Sequence, residues 1–494
     1  MRDHLSFVLN GEIVKLRGID PAMTLLTWLR RERRLTGTKE GCAEGDCGAC
    51  TVTEGAHDRF SDGIRYRALN ACILLMGMLE GRSVTTVEGL RGNDGALHPV
   101  QQAMVEAHGS QCGFCTPGIV MSLYTAYLNG GLRPSSDSYA PQVNDLLAGN
   151  LCRCTGYGPI IKAADIAYGL PAPAAPRHLP MIEAAQLRTL AHAETMAMRG
   201  AGTQFFAPAT LEQLLHLCEA HPTAVILSGA TDVGLWITKQ HRRIATFIYT
   251  GRVRELQTIA REQGLVRIGA GARWCDVAEA VAHIFPDFAE LIRRLGSVQV
   301  RGAGTIGGNI ANGSPIGDGP PALIALGARV VLRSGEARRT LALEDFFLAY
   351  GKQDRQPGEL VEAIEVPVHG PPERLKCYKV SKRFDQDIST VCGCFNIDTT
   401  GGTVRAARIA FGGMAATPKR ATHVEAALVG WRWSLATVMA ALAAFERDFQ
   451  PISDMRGSTA YRMQVAKNLL IRYFHETEHP LGESRLVGRE AAFK

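Results

Sequence analysis

Gly41-Cys-Ala-Glu-Gly-Asp-Cys-Gly-Ala-Cys50 sets three thiols in a Cys-x4-Cys-x2-Cys loop, at Cys42, Cys47 and Cys50, with a fourth candidate ligand at Cys72. This is the plant-type spacing for a [2Fe–2S] cluster. Four thiolates around two irons leave buried negative charge that backbone N–H groups must offset. Gly41, Gly45 and Gly48 let the loop wrap closely enough to supply them. A structural zinc ion is the alternative, but zinc sites favour paired two-residue knuckles, which this loop lacks. Ahead of the loop, Leu5, Phe7 and Leu9 alternate, then Asn10-Gly11 and Ile13-Val-Lys-Leu16 follow. That pattern predicts a hairpin around a primed turn. Residues 22–34 predict an amphipathic helix with Leu25, Leu26 and Leu29 inward. Hairpin, helix and cysteine loop suit a ferredoxin-like domain over residues 1–82.

A second cysteine set follows. Cys112-Gly-Phe-Cys115 and Cys152-Arg-Cys154 pair a CxxC with a CxC. A CxC cannot put both thiols on one helix face, so it belongs to a metal-gripping loop. By itself the set fits zinc, a redox dithiol or a second cluster. Pro117 and Pro159 stand just after these cysteines, each able to take a first helical position, and Gly130-Gly131 ends the run Ile119–Leu128. Residues 83–165 are therefore expected to form a pseudo-symmetric helical bundle.

The rest of the chain narrows the class. Its 494 residues call for several domains. The net charge of +6 shows no dense basic block, so nucleic-acid binding has no footprint. No apolar run reaches membrane-spanning length, and no export signal is seen at the start, so a cytoplasmic chain without a membrane partner is expected. Of 13 cysteines, eight lie before residue 155. Cys218, Cys275, Cys377, Cys392 and Cys394 read as packed thiols, and Cys392-Gly-Cys394 has no companion ligand nearby in sequence. The histidines form no metal pattern, and no nucleophile elbow is present.

Prolines 171, 173, 176 and 180 mark a linker over 166–198. Beyond it, two Gly-rich stretches stand out. Leu227-Ser-Gly-Ala-Thr-Asp232 follows an apolar strand, and Gly304-Thr-Ile-Gly-Gly-Asn309 leads to Asp318. Both are expected to present backbone amides to a pyrophosphate, with Thr231, Asn309 and Asp318 bonding ribityl or ribose hydroxyls. Gly302-x-Gly304-x-x-Gly307 spells the Rossmann fingerprint. That motif needs an apolar helix next and an acid about 20 residues on, whereas Asn309, Gly313 and Pro315 follow at once.

Taken together, the plant-type loop, Gln111-Cys-Gly-Phe-Cys-Thr-Pro-Gly118 and Gly149-Asn-Leu-Cys-Arg-Cys-Thr-Gly-Tyr157 resemble the molybdenum hydroxylase family. The resemblance implies an α+β multidomain chain. A β-grasp [2Fe–2S] ferredoxin domain is followed by a four-helix [2Fe–2S] domain at 83–165. A non-Rossmann α+β FAD-binding domain at 199–372 and a C-terminal α+β flavoprotein domain at 373–494 complete it. It further implies cluster ligation by Cys42, Cys47, Cys50 and Cys72 and by Cys112, Cys115, Cys152 and Cys154, with Gln111 and Cys154 near a pterin. FAD contacts fall on Leu227, Ser228, Gly229, Ala230, Thr231, Asp232, Gly304, Thr305, Ile306, Gly307, Gly308, Asn309, Asp318 and Lys379. Asp232–Lys239 is similar to the purine-oxidising branch in particular. That likeness implies oxidation of hypoxanthine and xanthine to urate, with NAD⁺ as acceptor near Asp385 and Asp387. Ala230 stands where members often carry Gly or Asn, and Leu295 where some place an aromatic. Residues 382–387 read equally as a solvated charged turn. The sequence holds no stretch for a molybdopterin domain, so a molybdopterin-binding large subunit in an (αβ)₂ heterotetramer is expected. Alternatives are the redox part of a hydroxylase for aldehydes, nicotinate or a similar N-heterocycle, and a zinc-stapled scaffold.

Overall fold

A computed structural model describes residues 1–58, 63–131, 139–177 and 179–478, side chains of 139–141 and 373 excepted. Leu5–Leu9 and Glu12–Leu16 pair antiparallel across Asn10 and Gly11, whose φ values of 49° and 87° are those a primed turn requires. The first sheet runs in the order Glu12–Leu16, Leu5–Leu9, Ser83–Thr85, Thr51–His57, Ile64–Asn70. Its middle strand, Ser83–Thr85, lies just beyond the boundary expected at 82 and pairs with Leu5–Leu9 in parallel. The helix expected over 22–34 is shorter, Leu25–Arg31. Thr24 caps it by accepting from the Thr27 N–H at 3.1 Å, and the chain turns away at Arg34, where φ is 58°. Trp28 joins Leu25, Leu26 and Leu29 on its buried face, edge-on to Phe7.

The helical segment begins later than position 83. Its four helices are Pro99–Glu106, Thr116–Leu128, Tyr139–Leu147 and Gly158–Gly169, around Val100, Ala103, Ile119, Leu123, Val143, Ile160 and Ala163. Proline stands in the first turn of Thr116–Leu128 and of Gly158–Gly169, as the sequence predicts.

The stretch expected to be a linker is partly ordered structure. Gly158–Gly169 runs into it, and Pro180–Thr189 is a helix docked on the first sheet. Leu187 and Leu190 cover Val8, while Glu183 accepts from the hydroxyls of Tyr66 (2.7 Å) and Ser83. The prolines set the extended chain on either side, but an amphipathic turn between them finds a surface.

Two sheets carry the next region. Met196–Gly200, Thr203–Ala207, Thr246–Tyr249 and Val225–Leu227 form one, with parallel pairing at its last two junctions. Ile259–Glu262, Leu265–Gly269, Leu360–Pro367, Arg329–Ser334 and Ala337–Ala342 form an antiparallel second. The apparent Rossmann fingerprint is disposed of directly: Gly302 lies inside the helix Val298–Ala303, so no strand precedes the glycines. The final α+β unit sets Leu375–Val380, Val391–Asp398, Ala406–Gly412 and Lys419–Arg420 against the helix Thr459–Glu478. Among the described residues no helix is long and apolar enough to cross a membrane.

These units do not hang separately. Leu5, Leu25, Cys72 and Leu75 share one buried core with Phe205, Leu227, Phe247 and Tyr249. A buried ion pair reinforces this seam, with Arg273 donating to both Glu54 oxygens at 2.6 and 3.0 Å. Burial by itself would raise the Glu54 carboxyl, but the Arg273 and Arg82 guanidiniums outweigh it and hold it down at about 2. Because that value is depressed, the stabilisation is complete above the unfolded carboxylate range, shrinks as pH falls below that range, and is gone once pH has fallen through about 2. Arg273→Met leaves the buried carboxylate with only the longer Arg82 contact at 3.7 Å and is expected to cost about 3 kcal/mol at neutral pH. Its acid-unfolding midpoint, followed by circular dichroism, should move to higher pH.

Candidate functional site

The first cysteine loop turns its amides inward. The N–H groups of Glu44, Asp46 and Cys47 approach the Cys42 sulfur at 3.5, 3.4 and 3.3 Å, the arrangement that offsets charge on a metal-bound thiolate. Asn70 steadies the loop by donating to the Gly45 carbonyl at 2.7 Å. The four thiols are neighbours. Cys42 lies beside Cys47 and Cys72, and Cys72 beside Cys50, and this sharing pulls Cys42 down and pushes Cys47 and Cys72 up. In the second set Cys112 neighbours Cys154, and Cys115 neighbours Cys152. Burial pushes Cys115 up to about 12, whereas hydrogen bonds from Thr155 outweigh burial and lower Cys152. Tyr157, at φ 68°, turns its hydroxyl to accept from the Cys152 N–H at 2.8 Å.

Among the described residues no three Cys, His, Asp or Glu side chains are arranged to hold one metal ion. Within each set the thiols are neighbours, and four thiolates are what the two irons of a binuclear cluster ask for. All-thiolate donors in the x4–x2 spacing of the first loop fit [2Fe–2S] better than tetrahedral zinc. Exposure differs between the sets. Cys50 and Cys72 are buried, while Cys112 and Cys154 are exposed beside Gln111, Phe114 and Leu151 at the surface.

The two loops interlock. The Leu151 N–H donates to the Cys47 carbonyl at 3.0 Å, one residue before Cys152. At Gly48, where φ is 71°, a Cβ would lie 2.0 Å from the Gly149 carbonyl, so no other residue fits. On the other side, Gly234 of the helix Val233–Thr238 sits where a Cβ would meet Ile73 at 2.8 Å, next in chain to Cys72. Lys239 and Glu44 pair at 3.3 Å across the same seam.

The Gly-rich stretches behave differently from each other. For the N–H groups of Gly229, Ala230, Thr231 and Asp232 no partner is seen among the described residues, which leaves a row of free amides at the end of Val225–Leu227. Such a row suits a diphosphate. Ala230 takes φ 59°, a left-handed conformation that explains why glycine or asparagine suits this position. Its neighbour Gly229 packs on the other stretch, since a Cβ there would lie 2.1 Å from the Ala303 carbonyl. The second stretch offers no such row. Gly304, Ile306, Gly307, Gly308 and Asn309 already donate to Val300, Ala272, Ala270 and Thr305, because Ile306–Asn312 is a short helix capped by Thr305. Asn309 is nonetheless left with a buried Oδ1 that has no partner. The orphaned amide oxygen and the free backbone amides are both groups that a polar cofactor would satisfy.

Asp318 has partners that the sequence did not show. Its carboxylate accepts from Lys379 Nζ at 2.6 Å and from Ser389 Oγ at 2.5 Å, so each oxygen already holds one partner within the fold. Asp232 is raised by burial, against a hydrogen bond from Asn312. The charged turn at 382–387 is neither free nor wholly solvated. Arg383 is exposed and its N–H donates to Asp387, but Phe384 lies under Arg294 at 4.3 Å and Gln386 donates to the Ala148 carbonyl at 2.5 Å. Cys377 stands opposite Cys394 in the strand pair, but among the described residues these thiols form no group able to hold a metal ion.

Four family models match in sequence. They are a 2Fe-2S iron-sulfur cluster binding domain (7–76), a [2Fe-2S] binding domain (86–165), an FAD binding domain in molybdopterin dehydrogenase (200–369) and a CO dehydrogenase flavoprotein C-terminal domain (376–477). The chain belongs to the molybdenum hydroxylase family. The xanthine dehydrogenase of Emericella nidulans is 31% identical over 96% of this chain and 38% of its own length. The xanthine dehydrogenase/oxidase of Rattus norvegicus is 30% identical over 98% and 40%. The chain therefore spans about two fifths of these relatives. Among solved structures, a carbon monoxide dehydrogenase chain from Hydrogenophaga pseudoflava superposes with a TM-score of 0.52 at 29% identity, covering 54% of this chain and 94% of that one. A quinoline 2-oxidoreductase chain from Pseudomonas putida 86, at 24% identity and a TM-score of 0.51, shows the shared fold over 55% and 94%.

Substitutions separate the sites. Cys72→Ser and Cys115→Ser should each remove one of two cluster signals in low-temperature electron paramagnetic resonance (EPR) and leave the other. Asn309→Leu should lower flavin content at unchanged iron, read by absorbance and elemental analysis.

Proposed function

We propose that this chain is the electron-transfer part of a xanthine dehydrogenase. In this reading it works with a molybdopterin-binding subunit that oxidises hypoxanthine and xanthine to urate, and NAD⁺ accepts the electrons. The observation that carries the reading is the row formed by three sites. The exposed second cysteine set meets the first set through Cys47 and Leu151, and the first meets the Gly229–Asp232 amides through Ile73 and Gly234. When bound, two [2Fe–2S] clusters and FAD supply a series of electron carriers, the last of which exchanges electron pairs with a nicotinamide.

The chain's own residues then have defined tasks. Cys42, Cys47, Cys50 and Cys72 ligate the inner cluster, and the amides of Glu44, Asp46 and Cys47 offset its charge. Cys112, Cys115, Cys152 and Cys154 ligate the outer one. The exposure of Cys112 and Cys154 leaves that end open for a partner, with Gln111 beside it. Leu227–Asp232 cradles the diphosphate, with Gly304–Asn309 closing on its far side. The Lys379–Asp318 pair keeps a charged but neutralised floor in a buried place. An (αβ)₂ assembly follows from the family likeness.

A second reading, the redox part of another molybdenum hydroxylase, is favoured by the superposition on the carbon monoxide dehydrogenase chain. That likeness reaches 54% of the chain, whereas likeness to xanthine dehydrogenases runs through nearly all of it. Xanthine-dependent NADH formation by the native complex, recovered through this chain, is the test. A clear rate with co-purified molybdenum supports the proposal. No rate with xanthine, but turnover of an aldehyde or another N-heterocycle, moves the substrate to the second reading.

A further inference from the structure

Gln299 belongs to the helix Val298–Ala303 on the flavin side, yet its side chain ends between the two cysteine loops. It is 1% exposed. Its Nε2 approaches Thr51 Oγ1 at 3.2 Å, Ser122 Oγ at 3.2 Å and Asn150 Oδ1 at 3.0 Å. Each of these oxygens sits beside a candidate ligand. Thr51 follows Cys50, Ser122 rides on the helix that starts at Cys115, and Asn150 stands two residues before Cys152.

The network fixes which way the amide faces. The Thr51 hydroxyl donates to the Gly48 carbonyl at 2.6 Å, and the Ser122 hydroxyl donates to Asn150 Oδ1 at 2.6 Å. Both hydroxyl protons are therefore committed, and what remains toward Gln299 is three acceptors. Only its NH₂ end can meet them. The consequence is visible at the other end: Gln299 Oε1 is buried without a partner, pressed against Gly149, where a Cβ would lie 2.0 Å away. Asn150 extends the net by donating to Gly48 and Thr51. A structure that leaves an amide oxygen unpaired so that the two protons of its NH₂ are shared among three acceptors is using those contacts to hold something in place.

We propose that Gln299 is a positioning residue that sets the spacing between the two cysteine loops from the flavin-binding domain. The inference rests on the reading of the eight cysteines as ligands of two clusters. One amide, anchored in a third domain, grips the segment behind Cys50, the helix behind Cys115 and the strand of chain before Cys152. Transfer between carriers falls steeply with distance, so small changes in this spacing reach the electron path. The same helix passes through Gly304 into Thr305–Asn309, which ties the spacing to the wall of the flavin site.

The test uses the native complex with both clusters reduced by dithionite and low-temperature EPR of their mutual spin–spin splitting. Gln299→Met keeps the length and removes the amide. The expected result is wild-type iron and flavin content with the splitting lost or blurred, a change that loss of stability alone does not produce. Wild-type splitting in a fully loaded Gln299→Met complex overturns the proposal, as does a wild-type complex with two cluster signals and no splitting. If Gln299→Met does not load iron, Ser122→Ala and Thr51→Val each remove one acceptor. Weakened splitting in either supports the proposal, and unchanged splitting in both overturns it. A wild-type complex without two cluster signals instead overturns the functional reading beneath it.

Discussion

The structure depends on how closely two cysteine loops from different domains can approach. The Cys47 carbonyl accepts from the Leu151 N–H, and the chain passes Gly48 against Gly149 with no room for a side chain. Gly118 completes the crossing, since a Cβ there would lie 2.2 Å from the Gly48 carbonyl. This contact explains why glycines crowd the loops beyond what ligation requires. The shared core around Leu75, Phe205 and Phe247, and the Glu54–Arg273 pair, hold the first sheet against the flavin side.

Much of this was legible in the sequence, for physical reasons that can be named. Ligand spacing is a covalent constraint, so the thiols of 42–50 and 152–154 had little freedom in where to go. The Asn10-Gly11 turn was equally determined, since few residues tolerate its two positive φ values. Prolines after Cys115 and in front of Ile160 marked helix starts because their missing N–H groups are harmless there. Helix length was less legible: Thr24 and Arg34 trim Leu25–Arg31 at both ends, and neither cap competes visibly with the apolar run.

What stayed hidden depends on distant partners. Gln299 and Asn150 look like ordinary polar residues until three domains close over them. Nothing local to Asp318 revealed that Lys379 and Ser389 meet it across the fold. The second Gly-rich stretch misled in a different way. Its glycines suggested free amides, but Thr305 caps a short helix whose N–H groups bond inward to Ala270 and Ala272. The proline-marked segment hid a docked helix because an isolated ten-residue helix gains its stability from the sheet it covers.

We propose that the three separate sites in this chain act as a single conducting row. A light flash that places one electron on the flavin of the intact complex, followed by the visible bands of the clusters, is the decisive test. The flavin is expected to reoxidise as the clusters bleach, at a rate that does not change with protein concentration. A flavin that stays reduced, or cluster bleaching whose rate rises with concentration, would contradict the proposal.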